Sequence, residues 1–277
     1  MRRNPLYAAT ALIFLIACAP GHATPEQDRD ELVRFFEQRF PDVPLDEYIH
    51  GALMLSEDAK SQYDSIMEFP PFQGDIDRGE RLWKRPFANG KTFADCFPDG
   101  GRNVAGKYPY YDADTDRVVT FEMAINRCLR KNGEAEFPYG DKETMGVLTA
   151  YARTLSDGMR IDVRVDSPAA QRKYRAGRDF YYRRIGQLNL ACASCHVDQA
   201  GRYFRDELLS PGLGQPAHFP VFRGGEHLNT LHMRYQRCME AMRAVPFAAG
   251  SEELNNLEYF HTYISNGLPL KASVYRK

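Results

Sequence analysis

Cys192-Ala193-Ser194-Cys195-His196 decides the fold. In a CxxCH pattern each cysteine can add across a vinyl group of a haem, and the adjacent histidine then lies under the iron. Three other readings of the two cysteines compete. A thioredoxin-like CxxC wants a preceding strand in βαβ surroundings, which are absent here. A zinc site wants two further ligands at short spacing, and none is nearby. A plain disulfide across two intervening residues is disfavoured. The stretch therefore predicts one covalently bound c-type haem, attached through Cys192 and Cys195, with His196 as an axial iron ligand.

The sequence around this motif is mainly α. Thr24-Pro25-Glu26 is a helix start, with proline at the first helical position and Leu32, Val33, Phe35 and Phe36 supplying an apolar face. Ser167-Pro168 opens a second helix the same way, carrying Tyr174, Phe180 and Tyr181. Thr144 to Ser156 places Met145, Leu148, Tyr151, Ala152 and Leu155 at helical spacing and stops at Gly158. Strand signal is confined to Val118-Val119-Thr120, which reads as a short hairpin arm.

Two parts of the chain resemble one another. Met123-Ala124-Ile125-Asn126-Arg127-Cys128 matches Met233-Arg234-Tyr235-Gln236-Arg237-Cys238. Phe137 and Gly140 follow the first as Phe247 and Gly250 follow the second, and each copy runs on to Ser156-Asp157-Gly158 or Ser265-Asn266-Gly267. Upstream, Arg78 to Trp83 leads to Cys96, as Gly177 to Tyr181 leads to Cys192 and Cys195. This ordered series predicts two cytochrome-c-like domains related by internal duplication. The expected division is a leader at 1–23, a haem-less domain with an N-terminal extension at 24–158, and a haem-binding domain at 159–277.

The first copy has Cys96 in Ala94-Asp95-Cys96-Phe97-Pro98, with no second cysteine and no histidine, so it cannot attach a haem. Cys96 and Cys128 occupy the places held in the second copy by a haem cysteine and Cys238. With no haem between them the two are free to approach, which predicts a Cys96–Cys128 disulfide with Cα atoms within about 7 Å.

The iron still needs a second axial ligand. Downstream candidates are His218, His227, His232, Met233, Cys238, Met239, Met242 and His261. His/Met ligation is the common arrangement, but methionine at helical spacing is more often core filler. The repeat favours Cys238, because its counterpart Cys128 already lies opposite the lost haem. Arg234, one helical turn before Cys238, shares its face, and Arg237 adjoins it. Their charge favours thiolate, the form that binds iron and attacks sulfur. Arg234 is also placed to hold an anionic substrate by charge-assisted hydrogen bonds.

Arg2 and Arg3, the apolar run from Ala8 to Ala19, and Gly21-His22-Ala23 before Thr24-Pro25 follow the plan of an export signal, too short to span a bilayer. Leu15-Ile16-Ala17-Cys18 also resembles a lipobox; cleavage after Ala23 and lipidation at Cys18 both stay open, with the first preferred. No later segment could cross a membrane. Lys and Arg total 36 against 37 Asp and Glu, a net charge of −1 that argues against a general nucleic-acid binder. Asp112, Asp114 and Asp116 alternate like a calcium loop, but Arg117 and Met123 stand where an EF-hand needs glycine and glutamate.

Together, Cys192 to His196, the Arg234-to-Cys238 segment and Val118 to Cys128 make the chain similar, over nearly its whole exported length, to SoxA, the larger subunit of the SoxAX cytochromes of sulfur-oxidising bacteria. The resemblance implies a periplasmic heterodimer with the small cytochrome SoxX. It implies an L-cysteine S-thiosulfotransferase that joins thiosulfate oxidatively to a cysteine of the carrier SoxYZ, with electrons leaving through haem to SoxX. It implies Cys238 as axial ligand and sulfur-handling residue and Arg234 as the anion-binding residue. Absence of CxxCH at Cys96 aligns the chain with the single-haem type. A monohaem electron carrier and a thiosulfate dehydrogenase forming tetrathionate are the alternatives.

Overall fold

The computed structural model describes residues 23–223 and 227–276, so almost all of the expected leader, Cys18 included, lies outside the described residues. Helix α1 (Pro25–Arg39) starts where Thr24 closes a capping box with Gln27, and it buries Leu32 and Phe36 while leaving Phe35 outside. Two short 3-10 turns (Leu45–Leu55) follow, kinked at Gly51, whose φ of 58° and ψ of −131° only glycine adopts without strain. Helices α2 (Glu57–Glu68) and α3 (Gln73–Lys84) complete the N-terminal part.

A tight hairpin, β1 (Tyr110–Asp112) and β2 (Arg117–Val119), leads into α4 (Phe121–Lys131), and α5 (Val147–Thr154) crosses α3. The crossing is close because Gly79 faces the Val147 carbonyl with no room for a Cβ. Helix α6 (Pro168–Tyr182) follows, capped by Ser167, with Tyr174, Phe180 and Tyr181 buried. A two-residue hairpin pairs β3 (Tyr203–Phe204) with β4 (Glu207–Leu208). Strands β5 (Val221–Arg223) and β6 (His227–Asn229) then lead into α7 (Leu231–Ala241) and α8 (Glu252–Tyr263), and α8 crosses α6 where Gly177 meets the Asn256 carbonyl. Strand β7 (Val274–Arg276) adds in parallel to β5.

Local details recur. Helices α4 and α7 each run eleven residues from a threonine cap, Thr120 or Thr230. The side chain of Asn126 donates to the Phe137 carbonyl at 2.9 Å, and that of Gln236 to the Phe247 carbonyl at 2.9 Å. Ser156 Oγ accepts the backbone N–H groups of Val104 and Ala105, and Ser265 Oγ accepts that of Gly214.

Two expectations are modified. The helix expected from Thr144 begins instead as a wide π-turn over Lys142–Gly146, because Asp141 accepts from both Glu143 N and Thr144 Oγ1 and Gly146 packs against the Leu228 carbonyl. Thr120 caps α4 rather than extending the hairpin arm. Segment 25–55, expected as the N-terminal extension of the first domain, packs on the C-terminal half: Arg29 donates to the Asn266 carbonyl (2.7 and 3.0 Å), Asp28 is buried against Arg178 and Tyr174, and His218 Nδ1 donates to the Ile49 carbonyl. Nor is 159–167 a loose tether. Its Ile161, Val163 and Val165 are buried, and its backbone pairs with Leu268 and Leu270.

Candidate functional site

The motif lies on one short helical stretch that widens into a π-turn at Ser194–Asp198, opened by Ser194 Oγ accepting the Ala191 N–H. Three-residue spacing puts Cys192 and Cys195 on one face. Both are free thiols, as is Cys238. Burial, with Cys238 close by, pushes the Cys192 thiol up to about 12, and the same causes raise Cys195. Tyr181 completes the ring: burial raises its phenol well above the ordinary value, and Cys192, Cys195 and Cys238 each add to the rise. Its hydroxyl is buried with no hydrogen-bond partner. The three sulfurs and the unpartnered hydroxyl are thus close enough for their charges to interact.

His196 completes the motif on the same π-turn. Its Nδ1 lies 2.9 Å from both the Ser210 carbonyl and Gln215 Nε2, so that nitrogen is engaged, and Nε2 makes no hydrogen bond among the described residues. Gln215 buttresses Ser210 by donating to its Oγ at 2.6 Å. Burial pushes His196 down to about 4, and the positive charge of Arg234 adds to the effect. That interaction places Arg234 within charge range of His196. Arg234 is half-buried and forms no ion pair among the described residues. Arg237 is different: it is exposed and pairs with Glu240 at 2.9 Å, so only one of the two expected arginines faces inward.

The remaining ligand candidates are committed elsewhere. His261 accepts from Tyr235 OH at Nδ1 (2.8 Å) and donates from Nε2 to the Gly212 carbonyl (2.9 Å), leaving no free nitrogen. His232 Nδ1 accepts the Gly250 N–H and its Nε2 faces Glu258. His227 pairs with Glu143, and His218 is buried beneath the Gly51 kink. Met233, Met239 and Met242 are buried in the core. Among the described residues no group of three or more His, Cys, Asp or Glu side chains is placed to hold a bare metal ion.

The donor set fits a c-type haem: two free thiols one turn apart, a histidine with Nε2 available, and a third sulfur within charge range of the first two. The first half is built otherwise. Cys96 and Cys128 form a disulfide with Cα atoms 5.7 Å apart. Trp83 stacks on Phe93 and Phe97, Phe121 packs on Phe97 and Tyr108, and a Cβ at Gly101 would come within 2.6 Å of the Trp83 ring. Asp112 forms an ion pair with Arg127 at 2.6 Å and accepts from Thr115, so that aspartate run is hairpin structure.

Sequence reasoning missed Tyr181, Ser210, Gln215 and the Tyr235–His261–Gly212 bridge. Tyr181, Ser210, Gly212 and Gln215 all lie near the motif in sequence, yet nothing local marks them as part of the site.

A family model described as the cytochrome c domain of SoxA/TsdA matches residues 78–161, the half without CxxCH. The L-cysteine S-thiosulfotransferase subunit SoxA of Chlorobaculum tepidum is 43% identical, covering 96% of each chain. That of Allochromatium vinosum is 41% identical over 92% of this chain and 91% of its own. The crystal structure of SoxXA from P. pantotrophus superposes with a TM-score of 0.69 at 28% identity, covering 75% of this chain and 79% of that one.

Proposed function

The chain belongs to the SoxA family, and from that premise we propose that it is the haem-bearing L-cysteine S-thiosulfotransferase subunit that joins thiosulfate to a cysteine of the SoxYZ carrier in partnership with SoxX. Cys192 and Cys195 would attach one c-type haem covalently, and His196 and Cys238 would hold its iron. The observation that supports the reading is that Cys238 lies within charge-interaction range of Cys192 and Arg234 within that of His196.

The overall change is carrier–SH plus thiosulfate giving carrier–S–S–SO3⁻, one proton and two electrons. Arg234 holds the thiosulfate dianion, its guanidinium being paired with no carboxylate among the described residues. The Cys238 thiolate bonds to the terminal thiosulfate sulfur, giving Cys238–S–S–SO3⁻ with loss of two electrons. The carrier thiolate then attacks the sulfur attached to Cys238, and Cys238 leaves as thiolate. When bound, the haem supplies a one-electron acceptor beside this sulfur.

The finer architecture belongs to the same proposal: two cytochrome-c-like domains from one duplication, 24–158 without haem and 159–277 with it. The paired glycine crossings at Gly79 and Gly177, the matching Asn126 and Gln236 bonds, and the hairpins before α4 and α7 support it. None of the described helices is long and apolar enough to cross a membrane. With the amino-terminal signal pattern, this supports placement in the periplasm.

The test is a C238A variant. It is expected to retain covalent haem and lose thiosulfate-dependent turnover with the carrier; retained turnover contradicts the proposal. Tetrathionate formation by the parent without carrier would favour a thiosulfate dehydrogenase.

A further inference from the structure

Away from the haem space, four ionisable side chains meet a tyrosine at the seam between the two halves. Glu122 and Arg153 come from α4 and α5, His232 and Glu258 from α7 and α8, and Tyr139 from the loop after α4. Glu122 is 6% exposed and Glu258 7%, while the His232 side chain is fully enclosed. Tyr139 stacks on His232 with centroids 4.8 Å apart and donates from its hydroxyl to Glu122 at 3.1 Å. Its hydroxyl also meets Thr120 Oγ1 at 2.7 Å.

The hydrogen positions follow from the partners. Gly250 N–H can only donate, so His232 Nδ1 accepts and the ring hydrogen sits on Nε2, facing Glu258 Oε2 at 3.1 Å. This contact is close but not aligned as a hydrogen bond, so it acts as a charge–dipole interaction. The guanidinium of Arg153 is the nearby fixed cation, but its Nη2 donates to the Pro216 carbonyl at 3.1 Å and it forms no ion pair with either carboxyl. Two enclosed carboxyls therefore meet at the seam without a direct cationic partner. Ionising both would leave an uncompensated buried anion.

We propose that this seam is a one-proton site: of its two enclosed carboxyls Glu122, which accepts from Tyr139, holds the proton, while Glu258 lies against the His232 N–H. Burial, and secondly the nearby Glu258, raise Glu122 above its ordinary value. The sign of the linkage follows. As pH rises above the unfolded glutamate value of about 4.3, the unfolded chain sheds a proton that folded Glu122 keeps. Stability therefore falls with rising pH until the folded pKa is passed. The seam also anchors the first turn of α7, two residues before Arg234, so it fixes the entry of the helix that carries the site.

Thermal midpoints of the haem-loaded protein at about pH 5.5 and about pH 8 test this. E122Q mimics a neutral acid. Its midpoint is expected at or above the parent's at the higher pH, with an advantage that shrinks at the lower pH. E258Q removes the competing carboxyl, so Glu122 ionises more readily and the fall of the midpoint between the two pH values is expected to shrink; a parent-like fall would count against the proposal. If E258Q fails to mature, E122Q decides alone. An E122Q midpoint below the parent's at the higher pH, or a difference indifferent to pH, overturns the proposal. The outcome is independent of thiosulfate turnover.

Discussion

The two halves use sulfur in opposite ways. Cys96 and Cys128 are spent on each other, and the surrounding space is filled by Trp83, Phe93, Phe97 and Phe121. Cys192, Cys195 and Cys238 stay free, within charge range of Tyr181 and its unpartnered hydroxyl. Helix crossings and caps are alike on both sides, so the difference is chemical rather than architectural. A scaffold that crosses two helices at a glycine can be closed by an aromatic core and a disulfide, or left to be completed by a prosthetic group.

The largest effect that would sharpen this contrast is loss of the group itself. Replacing both Cys192 and Cys195 with alanine should abolish covalent haem, seen as a missing mass increment after denaturation. The disulfide closes a loop of 32 residues, so C96A/C128A should cost about 3–4 kcal/mol of stability on the chain-entropy estimate, while haem content stays full. Loss of haem in that variant would break the separation between the halves. Arg234→Ala should raise the KM for thiosulfate about 10- to 100-fold, the worth of a charged hydrogen bond, with haem spectra unchanged. Arg237→Ala removes only an exposed pair with Glu240 and should change stability by less than about 0.5 kcal/mol and turnover not at all.

Much of this was legible in sequence because it rests on local chemistry. Thr24 and Ser167 mark real helix starts, and the motif and the Cys96–Cys128 pair follow from spacing and repeat. What was not legible depends on distant segments. Strands β5 and β7 are three residues each, too short for alternation, and pair across about fifty residues of chain. Helical spacing set Arg234 apart from Arg237 in sequence, and α7 leaves the first half-buried within charge range of His196 and the second in solvent, paired with Glu240. His261 looked like a ligand until Tyr235 and Gly212 were seen to occupy both of its nitrogens.

The account turns on which atom faces His196 across the iron, and low-temperature EPR of the ferric protein, parent against C238A, reads that directly. The account predicts a low-spin thiolate signature in the parent that vanishes in C238A while covalent haem remains. An identical spectrum in both proteins would contradict it and return the axial position to a histidine or methionine.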